Sequence, residues 1–451
     1  MYGKPMTAGA PWRHILSFML PILAGALLQQ LYHTADTIIA GNFSGQRALA
    51  AVGTTNTFTF LFLALAIGFS AGNGVLVAQN FGAGRVPMVR KNAATGILFL
   101  LGLGVFASLA GVLFARPAYV RFVAAPPEIL DDTLLYFRIY SAGLIFQYGY
   151  NILAAILRSV GDSAATLYFL LIASVLNIAL DLLFVAVFHW GVAGVAVATD
   201  IAQAVSMAAA WRYMTRRYPV FRYRMRDFRW RGAIVKETFL VGLPIAVQLV
   251  IVSLGLTLIQ RAVNGFGAVM TASFTVGQRM ELYLHLPCHS LQTTLATFTG
   301  QNVGAGRLDR VRQGARQGVL ISVALTAFLS ALIWLFPDEI IDFFALSEQA
   351  AGYCREHLRA AALINVVLAA YLPLFGVFQG TRHTAIPTYV ALVALTLRVL
   401  VTYWVKDTAF FGHTIIWWNG LFGFCAGAVI SWGYYGSGRW QKNGLTVQLH
   451  S

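Results

Sequence analysis

From residue 14 to residue 436 the chain reads as twelve apolar runs, each of membrane-spanning length, separated by short clusters of Gly, Pro and charge. A spanning α-helix needs about 20 such residues, because in hydrocarbon every backbone N–H and C=O must be satisfied inside the segment. The runs fall near 14–40, 50–80, 90–116, 130–156, 164–187, 191–214, 237–263, 272–300, 312–336, 350–379, 386–405 and 411–436, which leaves no room for a large soluble domain. Only 11 % of the 451 residues are charged and 58 % are apolar, whereas soluble domains carry about a quarter charged residues. The expected fold class is therefore all-α integral membrane, with twelve transmembrane helices. The start, MYGKPMTAGAPWRHILSF, is weakly basic and precedes no small-residue cleavage site, so the first run is read as helix rather than leader.

A net charge of +15 invites a nucleic-acid reading, but its distribution decides otherwise. With the N-terminus placed inside, the tails and the loops after the even-numbered segments hold 22 Lys and Arg against four acids, and the opposite side holds eight against nine. That asymmetry puts both termini in the cytoplasm. The densest basic stretch, 212–236, contains FRYRMRDFRWR. Interleaved Arg and aromatic rings can stack on RNA, yet beside a membrane anionic lipid headgroups are the plainer partner. Nucleic acid is not expected. Cys288, Cys354 and Cys425 lie singly in apolar runs and are read as core, with no disulfide or metal spacing.

The chain also repeats itself. QNFGAGR (79–85) recurs as QNVGAGR (301–307), and ten of eighteen positions in 79–96 match 301–318. Leu20-Pro21-Ile22 matches Leu243-Pro244-Ile245, and Tyr168 matches Tyr389, at nearly the same offset. Two six-helix bundles follow: an N-lobe over 1–214, a basic cytoplasmic linker over 215–236 and a C-lobe over 237–451. Six crossings bring a chain back to the side it started from, so the repeat is parallel, with a pseudo-two-fold axis along the membrane normal, the plan of transporters that enclose a central cavity. GAGR itself lacks the strand and the Lys-Ser/Thr of a phosphate loop and is read as a tight turn.

Few ionisable residues lie deep in the runs: Asp36, Asp181, Asp200, Arg279, Glu281 and Arg398. Each costs kilocalories unless paired or hydrated, so function is the default hypothesis. Gln29, His33 and Asp36 share a helical face, with Tyr32 beside them. Asn177 and Asp181 are four apart, and Thr199 on the next segment can add an oxygen. A carboxylate beside an amide in low dielectric binds either a proton or sodium; the bland alternative is that these groups tie helices together. The second half does not copy them, since Asn177 falls on Arg398 and Asp181 on Thr402. Glu281, two residues from Arg279, is expected to meet a substrate cation, Arg398 or a local structural partner. His285 and His289, at i and i+4, have metal-compatible spacing, but Pro287 lies between them and no HExxH exists, so no metal is expected.

The residues LPILAGALLQQLYHTADTIIAGNFSGQRALAAVG (20–53), the two QN(F/V)GAGR copies, LRSVGDSAATLYFLLIASVLNIALDLLF (157–184) and GVAGVAVAT (191–199) resemble the multidrug and toxic compound extrusion (MATE) family, in particular its DinF-like branch. The resemblance spans nearly the whole chain. It implies two bundles in a V-shaped fold that opens alternately to each side, and secondary active multidrug efflux: antiport of cationic or amphipathic organic compounds against protons or sodium. It also implies a coupling cluster of Asp36, Asn151, Asn177, Asp181 and Thr199, a bending role for Pro21, and substrate contacts in a cavity bearing Gln29, Tyr32, His33, Arg279, Glu281 and Arg398. The expected setting is the bacterial inner membrane, with membrane lipids around a monomer and no cofactor beyond the coupling ion. Two departures stand out: 245–260 carries no acidic residue, and the Gly161-Asp162 turn becomes Arg382-His383 in the second half, so that turn is expected to be built differently. A flippase of a lipid-linked saccharide is the alternative, disfavoured by the few basic residues at membrane depth. An integral-membrane enzyme is more remote, because no nucleophile–base pair or metal cluster is visible.

Overall fold

The computed structural model describes residues 3–442 except 124, 345 and 409–411; at 33, 35–38, 40–42 and 44 it describes the backbone alone, so the side chains of His33 and Asp36 lie outside the described residues. No strand occurs among the described residues. The helices are α1 (Pro11–Gly82), α2 (Val86–Pro117), α3 (Pro127–Ala142), α4 (Leu144–Ser159), α5 (Ser163–Asp181), α6 (Gly191–Arg217), α7 (Gly232–Asn264), α8 (Ala268–Gly304), α9 (Leu308–Leu335), α10 (Pro337–Phe343), α11 (Glu348–Gly380), α12 (Ala385–Val405) and α13 (Thr414–Gly436).

These make the twelve crossings. α1 is two helices end to end, joined at Gly45, whose φ of 82° and ψ of 175° is non-helical and open essentially to glycine alone. α3 and α4 form one crossing interrupted at Gly143, and α10 is too short to cross. Ten stretches are long and apolar enough to span by composition. The other two are the α3–α4 crossing and α8, which carries Arg279, Glu281, His285 and His289. Two helices end in a wide turn with i to i+5 bonds: Val123 N–H donates to Ala118 O at 3.1 Å after α2, and Phe188 N–H to Leu183 O at 3.0 Å after α5. Such π turns recur at functional positions, and the second begins one residue after Asp181.

The chain folds into two compact units, Met1–Pro5 with Leu20–Ala246, and Met6–Met19 with Val247–Ser451. Within the first unit α1 crosses α7 through small residues. A Cβ at Gly72 would stand 2.7 Å from Gly242 N, so two backbones meet where any side chain would separate them. Its core runs from Phe69 and Ile97 through Tyr148, Ile152 and Ile156 to Phe169, Met214 and Phe221. The basic linker completes that core. Phe221, Tyr223 and Phe228 pack inward, Tyr223 lying 5.8 Å from Trp211 and 5.1 Å from Phe228, while Arg222, Arg224, Arg226 and Arg229 stay exposed. The alternation of Arg and aromatic residues is thus an in–out pattern, and these three rings are committed to packing. Asp227 fastens the segment, accepting from Arg224 N–H and from Arg90, both at 2.6 Å.

In the second unit α8 and α11 pack along their lengths with α9 against both. The early chain is clasped here: Gln301 Oε1 accepts from Met6 N–H at 2.8 Å, and Arg310 donates to Met6 O and Gly9 O at 3.1 and 2.7 Å. Cys288 and Cys354 are buried as expected, but Cys425 is exposed.

The repeat is structural as well as textual. Gly84 and Gly306 have φ of 69° and 71°. Arg85 N–H donates to Asn80 O at 3.0 Å, and Arg307 N–H to Asn302 O at 2.8 Å. Both copies of GAGR are glycine-terminated helix caps, which bears out the turn reading. The other repeated turn corrects an expectation. Arg382 takes up the left-handed conformation of Gly161, φ 69° against 89°, and His383 N–H donates to Phe378 O as Asp162 N–H donates to Leu157 O, at 2.7 and 3.0 Å. The backbone turn is the same without glycine. Only the side chains differ: Asp162 caps α5 through Ala165 N–H at 3.2 Å and accepts from Tyr213 and Tyr218, whereas Thr384 before α12 makes no side-chain cap.

Candidate functional site

Each unit buries polar groups at membrane depth. In the first, Asn177 and Asp181 point the same way from α5 because four residues complete about one turn, and both are buried, Asp181 fully. Opposite them on α6 stands Thr199, whose hydroxyl donates to Val195 O at 3.1 Å. The Asn177 amide bridges the two helices. With Nδ2 toward the carboxylate, it donates to Asp181 Oδ2 at 2.8 Å while Oδ1 accepts from Thr199 N–H at 3.2 Å. Turned over, Nδ2 donates to Thr199 Oγ1 at 3.3 Å and Oδ1 faces Asp181. Carboxylate oxygens only accept, and a carboxylic acid also donates. The turned-over amide sets Nδ2 against Thr199 N–H, donor to donor, so the first orientation is the one that satisfies both ends, and it suits ionised Asp181.

The other candidates of this unit stand as follows. Asn151, half-buried on α4, donates from Nδ2 to Gln147 O of its own helix at 2.9 Å. Gln29 is exposed and Tyr32 half-buried on α1, which continues helically through Pro21. Asp36 and His33 lie outside the described side chains. Asp200, next to Thr199, packs its carboxylate on Gly143, where a Cβ would stand 1.9 Å from Oδ1; the glycine break between α3 and α4 makes that room.

The second unit is built on different chemistry. Glu281 Oε1 lies 3.2 Å from His357 Nε2, and the His357 ring packs in a cluster with Trp417, at 4.6 Å, and Phe274, at 5.3 Å. Arg398 does not pair with Glu281. It donates from Nε to Asn419 Oδ1 at 2.8 Å and lies 5.2 Å from the Phe424 ring. The partner seen is none of those expected from sequence: His357 reaches Glu281 from α11, 76 residues away. Arg279 is exposed. His285 bonds Asn365 Oδ1 at 2.7 Å, and no group of three metal-ligating side chains forms among the described residues.

His357, Asn365 and Asn419 are the members that sequence reasoning passes over. His357 sits among Arg355, Glu356 and Arg359 near the start of its run and gives no sequence signal of its own.

Twelve crossings in two repeated bundles, each holding ionisable groups at membrane depth, define a polytopic membrane protein of transporter architecture. The chain belongs to the MatE family, whose model matches residues 21–183 and 244–404, one copy per repeat. Similar curated proteins include the probable multidrug resistance protein YpnP of Bacillus subtilis, 25 % identical over 99 % of this chain and 100 % of that protein. The probable multidrug resistance protein NorM of Thermotoga maritima is 24 % identical over 97 % and 94 %. Among solved structures, an outward-facing conformation of a multidrug resistance MATE family transporter of the MOP superfamily shares the fold at TM-score 0.90 and 23 % identity, covering 97 % of this chain and 98 % of that one. A MOP superfamily transporter from Pyrococcus furiosus matches at TM-score 0.89, also at 23 % identity, with the same coverage.

Proposed function

We propose that this protein is a secondary active antiporter of the bacterial cell membrane, exporting cationic or amphipathic organic compounds in exchange for protons or sodium by alternating access. Both termini lie in the cytoplasm, and the protein works as a monomer among membrane lipids. The observation that carries the reading is the Asn177 bridge. A fully buried carboxylate is joined through one amide to the neighbouring helix. Ion binding at this carboxylate resets a contact between α5 and α6, which gives the ion differential affinity for two conformations. Antiport then requires that ion and compound favour opposite states. Asp36 completes the coupling cluster with Asp181, Asn177, Thr199 and Asn151, and Pro21 lets the helix that carries Asp36 bend. Gln29, Tyr32, His33, Arg279, Glu281 and Arg398 are the groups that meet the compound. The acid pair on the N-terminal side and the lack of an acid in 245–260 favour the DinF-like branch.

Purified protein in liposomes, given ethidium and either a pH or a sodium gradient, tests this. One gradient drives wild-type accumulation, and Asp36→Asn abolishes it. If neither gradient moves any of several lipophilic cations, and Asp36→Asn leaves their binding and the melting temperature unchanged, the antiport reading fails.

A further inference from the structure

We propose that α8 of the second unit carries its own proton-exchange stripe, Glu281, His285 and His289, held in working geometry by His357 and Asn365. The three groups stand at i, i+4 and i+8 and so share one face of the helix. Each imidazole beside the stripe is tied to an oxygen acceptor, which fixes its tautomer. Asn365 commits its Nδ2 to Ala361 O at 2.9 Å, so its Oδ1 faces His285, 2.7 Å away, and His285 donates from Nε2. His289 donates from Nδ1 to Gln292 Oε1 at 3.3 Å. That leaves lone pairs on His285 Nδ1 and His289 Nε2, in rings whose centroids are 6.4 Å apart, a span one bridging water can serve.

His357 is different. Its Nε2–H donates to Glu281, and its Nδ1 makes no hydrogen bond and lies against Gly277, where a Cβ would stand 2.0 Å away. His357 therefore positions Glu281.

The titratable and charged groups around the stripe are few. α11 contributes His357 and Tyr371, α12 contributes Arg398, and Cys288 lies on α8 itself. α9 presents the uncharged Ser322 and Thr326. Glu281 lies within electrostatic reach of His357, His285 and Arg398, and His289 of His285. A proton arriving at either histidine adds positive charge beside Glu281, where Arg398 already stands, and so opposes an organic cation at the same carboxylate. This coupling clause rests on the antiport reading; the stripe itself does not.

The test is NMR of histidine-labelled protein in nanodiscs from pH 3 to 8, without substrate. His285 and His289, identified by His285→Gln and His289→Gln, are expected to titrate, and their midpoints to move by about one pH unit in Glu281→Gln, the hallmark of interacting sites. Two imidazoles that hold one form over the range, or midpoints indifferent to Glu281→Gln, overturn the stripe. Wild-type protein that carries no ethidium in liposomes defeats the antiport reading and leaves the histidine titrations unaffected.

Discussion

Asp181 in the first unit and Glu281 in the second are both carboxylates at membrane depth, and their neighbours are opposites. Asp181 accepts from the neutral Asn177 amide, which is itself bonded to Thr199 of the next helix. Around Glu281 the neighbours are bases: His357 in hydrogen bond, with His285 and Arg398 within electrostatic reach. Neutral dipoles hold either charge state of an acid, whereas an array of bases balances a carboxylate internally. The repeat makes the contrast sharper, because Arg398 occupies the position of Asn177, and Thr402, buried with its hydroxyl on Arg398 O at 2.7 Å, that of Asp181. Duplication kept the turns and exchanged the chemistry.

The comparison breaks most readily at its first member. Asp181→Asn removes the exchangeable charge while preserving shape, and gradient-driven ethidium transport is expected to fall about 5- to 150-fold, the range of a coupling free energy of 1–3 kcal/mol. Glu281→Gln is expected to leave more of the gradient-driven rate than Asp181→Asn, with an altered pH profile.

A stability measurement sharpens the second member. Arg398→Gln strands Asn419 Oδ1 and withdraws positive charge from Glu281, at a cost of about 2 kcal/mol, read as a lower melting temperature in detergent. Asn177→Ala, for comparison, is expected to lower transport more than it lowers stability, since it removes a switch rather than a counter-charge.

The repeated turn offers a reciprocal test. Gly161→Ala forces a side chain into the left-handed region, where a Cβ would stand 2.1 Å from Lys4 O, and is expected to cost about 2 kcal/mol. Arg382→Gly relieves the same conformation in the second half and is expected to raise the melting temperature, by less than Gly161→Ala lowers it, because glycine returns about half to one kcal/mol of that relief as chain entropy.

The smallest effect lies in the linker. The Arg224 backbone N–H and then the Arg90 guanidinium hold the Asp227 carboxyl below the usual carboxylate range. A folded value below the unfolded one, about 3.9, means that its contribution is present above that pH and lost as the pH falls through the lower folded value. Asp227→Asn removes the contribution at neutral pH, so trypsin is expected to cut the 222–231 segment faster in the variant than in wild type.

Much of this was legible in the sequence, and for identifiable reasons. Apolar runs mark crossings because hydrocarbon forbids unsatisfied backbone, and GAGR marks a turn because Gly84 and Gly306 must take positive φ. Asn177 and Asp181 were legible as a pair because helical spacing alone brings them together. His357 was not, since it lies 76 residues from Glu281 and only tertiary packing joins them. Arg382 was hidden for the opposite reason. A left-handed residue advertises itself when it is glycine, and here the surrounding fold imposes the conformation on arginine. Gly45 sits in a stretch that reads as an ordinary loop, yet the chain passes from one helix to the next through that single non-helical residue.

The central claim is that the exchangeable ion of this transporter is held by the first unit at Asp181. The most direct measurement is ion release by purified protein in weakly buffered solution when ethidium is added, followed with a pH dye and a sodium electrode. The account predicts that wild type releases a proton or a sodium ion as it binds the compound and that Asp181→Asn releases less. Equal release from wild type and Asp181→Asn would contradict it.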